Sequence, residues 1–304
     1  MSAKPSSKRG PSLLELCQRF RTREDCLKFL EKLRWPDGPV CPKCESTSIS
    51  RLRKRDFFDC NRCYHQFSVT SGTIMHRSHL PLQKWILATA LICNAKKGIS
   101  AKQIERDLSV TYKTAWYLMH RIRRAMKEPG LRSRFIGIVE IDDCFVGGKA
   151  HGKRGRGAEK KTMVVGVRQR AGSVRAEIAA DQKAKTLLQI VRRHVSMNAE
   201  MVCADDLSSY DILNKYYRPE RVNHSKGEYA RGEVHTNSME SFWNILKRGI
   251  IGSYHKVSVK YLPNYLREFT YRFSHTRNGN GVGLWQNILG NALVFYPNNQ
   301  RQTK

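Results

Sequence analysis

Two cysteine pairs constrain this chain more than any other feature. Cys41-Pro-Lys-Cys44 and Cys60-Asn-Arg-Cys63 form a C-x2-C…C-x2-C pattern with 15 residues between the pairs. Two residues between cysteines let a tight knuckle aim both thiolates at one tetrahedral ion, and four sulfurs leave no open coordination position. The spacing therefore predicts one structural Zn2+ on Cys41, Cys44, Cys60 and Cys63. Between the pairs, Ile49–Asp59 is basic at Arg51, Arg53, Lys54 and Arg55 and aromatic at Phe57 and Phe58, as expected of a zinc-ribbon hairpin. The basic strip could meet phosphate or be a solvated strand. His65 reads as a polar histidine rather than a fifth candidate ligand. The nine cysteines are an odd number, which argues against a closed disulfide framework and for a reduced, intracellular protein.

Charge narrows the partners. The formal net charge is +29 with 40% hydrophobic residues, so the chain can build cores and still needs an anionic partner, most commonly nucleic acid. A membrane is not expected: the longest apolar run, Trp85 to Cys93, is far short of the roughly 20 residues that span a bilayer. Met1 to Gly10 is polar and basic, without the apolar centre of a secretory signal.

Along the chain, apolar residues from Pro11 to Leu33 recur at helical spacing and predict two short helices that end at Trp35-Pro-Asp-Gly38. Residues 80–127 read as helical. Ser100 with Gln103 predicts a capping box that opens a helix from Ala101 to Leu108. A short turn, Ser109-Val-Thr111, leads to a second helix reaching about Met126, with Ala115, Leu118, Met119, Ile122 and Met126 on its apolar face. Its other face offers Lys113, Tyr117, His120, Arg121 and Arg124. Two short helices with a basic second member suit a helix-turn-helix docked in a DNA major groove, or an ordinary helical hairpin with a basic surface. Glu128-Pro129-Gly130 marks a linker. After it, strands are predicted over 135–146, 162–168, 173–178 and 200–204, with a helix over 183–195, the pattern of an α/β domain.

Acidic residues in so basic a chain are conspicuous in three places: Glu140, Asp142 and Asp143 on the first of these strands, Asp205 and Asp206 at the end of an apolar strand, and Glu240 within His235–Arg248. Alternation puts Glu140 and Asp142 on one face of their strand. If the last segment is a helix, Asn237, Glu240, Asn244 and Lys247 share its polar face, and Met239, Phe242, Leu246 and Ile250 its apolar one. Such acids could be caps and surface ion pairs. A glutamate aimed at two strand aspartates would instead make a three-carboxylate cluster, which needs cations to offset its repulsion; two Mg2+ or Mn2+ ions suit oxygen ligands and phosphodiester chemistry.

Taken together, the zinc-ribbon cysteines, Ile99–Arg123, Val139–Lys149, Asp205–Tyr210, Val222–His224 and Val234–Ser258 resemble the DDE transposases of the Merlin superfamily and their bacterial insertion-sequence relatives. The resemblance implies an RNase H-like catalytic domain with a mixed sheet behind a small zinc ribbon and a helix-turn-helix. The expected organisation is an N-terminal helical segment 1–37, a zinc ribbon 38–72, a helix-turn-helix domain 73–130 and a DDE domain 131–304. It implies Asp142, Asp205 and Glu240 as the catalytic, Mg2+-binding triad; 34 residues, 206 to 239, lie between the last two, the interval typical of this group. Asn237, Lys247 and His224 are implied in support. Lys247 and Arg248, and the Gly-, Lys- and Arg-rich loop with Lys153, Arg154 and Arg156, are expected on DNA. The implied function is binding of double-stranded terminal inverted repeats and target DNA, hydrolysis at the element's ends, and joining of the freed 3′-hydroxyl. The enzyme is expected to act as a dimer or higher assembly, inside the cell (cytoplasm or nucleoid of a bacterium, nucleus of a eukaryote). The alternatives are a DNA-binding regulator that has lost catalysis, and a structure-specific nuclease of the same fold.

Overall fold

The N-terminal helices begin where side chains replace missing backbone partners. α1 (Leu13–Arg19) starts at Ser12, and α2 (Arg23–Arg34) at Thr22. There the Thr22 hydroxyl accepts from the Asp25 N–H at 3.1 Å, and the Asp25 carboxylate accepts from the Thr22 N–H at 2.9 Å, a reciprocal capping box. The structure, a computed structural model, describes residues 11–52, 55–126, 133–147, 161–205, 208–217, 219–222, 230–232, 234–277 and 281–294. The chain divides into two compact units, Met1–Lys127 with Asn280–Lys304, and Glu128–Gly279.

In the first unit, β1 (Ile49–Leu52), β2 (Phe57–Cys60) and β3 (Gln66–Phe67) form an antiparallel sheet in chain order. Trp35 sets its ring edge-on against Phe58 and Phe67, and Arg34 donates to the carbonyls of Ser68 and Val69, so α2 is fastened to the ribbon. α3 (Leu82–Asn94) is buried at Trp85, Ile86, Ala88, Thr89, Ala90 and Ile92, as its apolar run predicts. α4 (Ala101–Leu108) and α5 (Tyr112–Ala125) come next, separated by a turn with Ser109 at φ 47°. Only half of the expected box forms at α4. Ser100 accepts from the Gln103 N–H, but the Gln103 amide turns down the helix and donates to Asp107 at 2.6 Å.

The second unit is built on one five-stranded sheet. β4 (Ile138–Val146), β5 (Thr162–Gln169) and β6 (Val174–Ile178) are an antiparallel meander, and Ala171, at φ 58°, turns β5 into β6. α6 (Ala184–His194) crosses to β7 (Met201–Asp205), which lies parallel to β4, and a 3-10 helix (Ser208–Lys215) leads to β8 (Pro219–Val222), parallel to β7. The order is β6-β5-β4-β7-β8, a mixed sheet in an α/β domain, as expected. A small ribbon, β9 (Ala230–Arg231) and β10 (Val234–His235), precedes α7 (Asn237–Gly249); a single π-turn and α8 (Leu262–Arg277) complete the unit.

Alternation divides the sheet's side chains between two cores. Val139, Ile141, Val165, Val167 and Val202 pack with Leu187, Val191, Tyr210 and Leu213 on the α6 side. Cys144, Val146 and Val164 pack with Met239, Phe242, Trp243, Leu246, Phe269 and Phe273 on the side of α7 and α8. The last helix, α9 (Gly281–Leu293), departs from the expected division at 131–304. It belongs to the first unit, where Trp285 stacks on Phe29 at 5.5 Å and donates its indole N–H to the Ile86 carbonyl, while the Ile74 N–H reaches the Ala292 carbonyl. Its apolar stripe, Leu284, Trp285, Ile288, Leu289 and Ala292, is buried there, so hydrophobic burial rather than chain order decides its place.

Candidate active site and zinc cluster

The four cysteines converge. Cys41 and Cys63 sulfurs are 3.6 Å apart, Cys44 and Cys60 3.5 Å, and all four lie within 4.8 Å of one another. Tetrahedral Zn–S bonds of about 2.3 Å require S···S separations of about 3.8 Å, so the cluster fits one Zn2+. Burial opposes ionisation at Cys60. The backbone N–H groups of Cys63 and Arg62 and the neighbouring thiols outweigh it and lower its pKa, while burial and the same thiols raise that of Cys63, so the cluster shares its negative charge unevenly until a cation is bound. His65 stays outside the cluster, its ring stacked on Phe67. Arg51, in the basic strip, is engaged within the unit: it forks onto Glu31 at 3.0 and 3.1 Å and lies over Phe58.

In the second unit, β4 carries the acids to different places. Asp143 turns to the α6 core, where the buried Tyr210 hydroxyl donates to it at 3.3 Å. Glu140 and Asp142 face α7. Glu140 is fully buried, and its two oxygens do separate jobs. Oε2 accepts the N–H groups of Ser238 and Met239 at 3.1 and 3.2 Å; Oε1 meets Arg170 Nε at 3.2 Å and His235 Nδ1 at 3.4 Å. Those two N–H groups belong to the first turn of α7, where the Met239 N–H also reaches the Thr236 carbonyl at 2.9 Å and the Thr236 side chain does not cap the helix. A strand carboxylate thus replaces the usual N-cap and opposes the positive end of the helix dipole.

Asp142 fixes the other end of this docking. Its Oδ2 accepts the Trp243 indole N–H at 3.0 Å, and its Oδ1 the Asp143 N–H at 2.8 Å. Gly166 pairs with Asp142 across the sheet, and Trp243 with Met239 occupies the space a side chain there would take: a Cβ at Gly166 would lie 2.6 Å from Trp243 Cζ2. Glu140 and Asp142 are about 7 Å apart along the strand. Met239 and Trp243 are about 6 Å apart along the helix. The two spacings match, so the first turns of α7 lie along β4. Glu240, half-buried, sits one turn before Trp243, with Asn237, Asn244, Lys247 and Arg248 exposed on the same helix.

Asp205 closes β7. The register Ile141↔Ala204, continued by one residue, brings its backbone level with Asp142 on the adjoining strand. Lys247 is close enough to act on Cys144: burial, then Asp142 and Asp143, raise that thiol to about 12, while Lys247 opposes the rise. His224, Lys153, Arg154 and Arg156 lie outside the described residues.

On α5 the expected basic face divides. Lys113 and Tyr117 are exposed and Arg124 is half-buried, whereas His120 is buried against Trp116 at 4.2 Å. Arg121 donates to the carbonyls of Ile74 and His76. His120 thus serves packing inside the unit, while Arg121 is half-buried and anchored by one nitrogen to the 74–76 segment.

Residues 134–274 match the ISXO2-like transposase domain, and residues 21–66 the transposase zinc-ribbon domain. The chain carries an ISXO2-like transposase domain behind a transposase zinc ribbon. It is 29% identical over 273 residues to an uncharacterized protein in transposable element ISH50 of Halobacterium salinarum, covering 83% of this chain and 91% of that protein. Two solved structures, a pre-cleavage Mos1 transpososome and the Mos1 strand transfer complex, share 11% identity at a TM-score of 0.29, a likeness too low to carry an argument. They cover 70% and 69% of this chain and 79% and 78% of theirs. Among the described residues, no helix is long and apolar enough to cross a membrane.

Proposed function

We propose that this transposase cuts the ends of its element and joins them to new DNA at a metal site formed by Asp142, Asp205 and Glu240. The observation that carries the reading is the double fastening of α7 to β4, by Glu140 at the helix start and by Asp142 at Trp243, which holds the Glu240 turn beside the strand bearing Asp142. The donor set fits hard divalent cations: the candidate ligands are carboxylates, and Asp142 is held by neutral N–H donors that orient it while leaving its charge intact. Two Mg2+ or Mn2+ ions on these carboxylates would supply activation of water or of a 3′-hydroxyl and stabilisation of the leaving oxygen. The protein's own part is positioning. Trp243 fixes the rotamer of Asp142, Glu140 fixes the helix that carries Glu240, and Lys247 and Arg248, about two turns beyond Glu240, offer charge to the DNA backbone. Asn237 opens the same helix as a supporting polar group, and His224 takes a supporting role. Lys113, Tyr117 and Arg124 on α5, with Lys153, Arg154 and Arg156 beyond β4, are assigned to DNA binding. The terminal inverted repeats are the specific partner, and pairing of two ends calls for at least a dimer. The zinc cluster is structural.

The deciding experiment is Mg2+-dependent cleavage of DNA carrying the element's ends, parent against Glu240→Gln. Loss of about 10²-fold or more with DNA binding retained is expected, because the swap keeps size and removes one ligand charge. Equal cleavage by both would overturn the assignment of Glu240. Binding without cleavage by the parent would favour a regulator, and cleavage of a pre-nicked end without joining would favour a nuclease.

A further inference from the structure

The first unit carries a groove of about 640 Å³ between the segment Arg77–Pro81 and the N-terminal half of α5. Three cationic side chains, Arg77, Lys113 and Arg121, line it, and among the described residues no carboxylate does. The cations are crowded. Burial, then the nearby Arg124, holds the Arg121 guanidinium below its ordinary pKa. Burial, then Arg77 and Arg121, does the same to the His76 imidazole beside the groove. An anion relieves both penalties. A duplex phosphate would need only this charged rim. The groove offers more: Tyr117, 43% exposed, stands at the rim, and the buried Trp85 and Leu118 make an apolar floor. Its volume is that of a small-molecule site. Cationic rim, exposed aromatic ring and apolar floor together are the chemistry that receives an unstacked base with its phosphate.

We propose that this groove seats one unpaired nucleotide of the bound DNA, with its phosphate among Arg77, Lys113 and Arg121 and its base against Tyr117 and the Trp85–Leu118 floor. The proposal rests on the DNA-binding reading and adds to it a preference for strand state. A duplex end that is nicked or frayed supplies such a nucleotide, so the front end would hold a processed DNA end more tightly than an intact one.

The test uses the full-length, zinc-loaded protein and fluorescence anisotropy with two labelled DNAs, the element's end fully paired and the same end with a few unpaired nucleotides. The parent is expected to bind the extended DNA about tenfold more tightly, within the range of one base stacked on an aromatic side chain. Tyr117→Ala, at a half-exposed ring, should bring the two affinities together. Arg77→Asn is a second variant, chosen because Arg77 sits at φ 53°, where asparagine is tolerated. It should reduce the salt slope for the extended DNA by about one phosphate contact. Equal parent affinities for the two DNAs would overturn the proposal. So would a Tyr117→Ala that weakens both by one factor, which marks a duplex-backbone site. Failure of the parent to bind either DNA would overturn the DNA-binding reading itself, and Glu240→Gln separates the two because it should keep the preference while losing cleavage.

Discussion

The cysteine cluster draws its four sulfurs from 23 consecutive residues, Cys41 to Cys63, while Asp142, Asp205 and Glu240 come from a span of 99, 142 to 240. The first ligand set is gathered by two knuckles and a hairpin whose own geometry aims the thiolates. The second needs a sheet register, a parallel crossover and a docked helix. The local set has little apolar core beneath it, with Phe58, Phe67 and Trp35 as its main support, so its stability should come from the ion. The proposed dispersed set belongs to a sheet with a substantial core on each face, so its fold should stand without metal, and any ions it holds should be needed only for chemistry.

Metal removal tests that contrast with the largest expected effect. Chelation of zinc, or Cys60→Ser, should unfold the ribbon, with a loss on the order of the 10–16 kcal/mol that structural zinc contributes in small zinc domains. Removal of Mg2+ should leave the α/β unit folded. Amide exchange followed across both units, with zinc content assayed in parallel, reads the outcome. A ribbon that keeps its protection without zinc would break the comparison.

Next in size is Glu140. Glu140→Ala leaves the Ser238 N–H without the acceptor Glu140 gives it, leaves the Met239 N–H to the Thr236 carbonyl alone, and removes the buried carboxylate that Arg170 meets. Breaking a buried pair in this way costs about 3–5 kcal/mol. Glu140→Gln keeps an acceptor but not the charge, and should fall between alanine and parent. Chemical denaturation measures the cost, and loss of exchange protection at Ser238 and Met239 localises it to the start of α7. Unchanged protection at those two amides would show that α7 does not depend on the strand carboxylate.

The same contrast explains what can be read from residues alone. The ribbon is legible because ligand spacing is a local property, and the strands over 135–146, 162–168 and 173–178 because alternation and β-branched residues are local too. The face of Asp142 follows from period two. The role of Glu140 does not, although a signal is present: an acid between Val139 and Ile141 that must be buried if its strand is central, and a helix whose start is best capped by a charge. The placement of α9 is illegible because an amphipathic stripe specifies burial but not the partner. His120 reads as part of a DNA face because a helical wheel shows polar residues and cannot show that this one is buried against Trp116.

Gly166 gives the smallest and most local test of the dispersed site. A methyl group at this position would meet Met239, whose thioether end can move, and the Trp243 ring, which cannot move freely because its N–H is held by Asp142. Gly166→Ala should therefore cost about 1–3 kcal/mol, the usual penalty for overpacking a filled core. The strain should not stay local. To relieve it, α7 must lift from β4, which lengthens the Trp243–Asp142 hydrogen bond and displaces Glu240 with it. A displacement of about 1 Å at a catalytic group can cost on the order of 10²-fold in rate. Gly166→Ala should thus slow cleavage by more than its effect on stability alone would suggest, while the zinc content of the ribbon stays the same. Adding Trp243→Phe should recover part of the stability, since the smaller ring makes room, but not the rate, since the hydrogen bond that orients Asp142 is gone. Single-turnover cleavage beside urea denaturation separates the two quantities. Recovery of both by the double variant would mean that the indole acts on Asp142 only through packing.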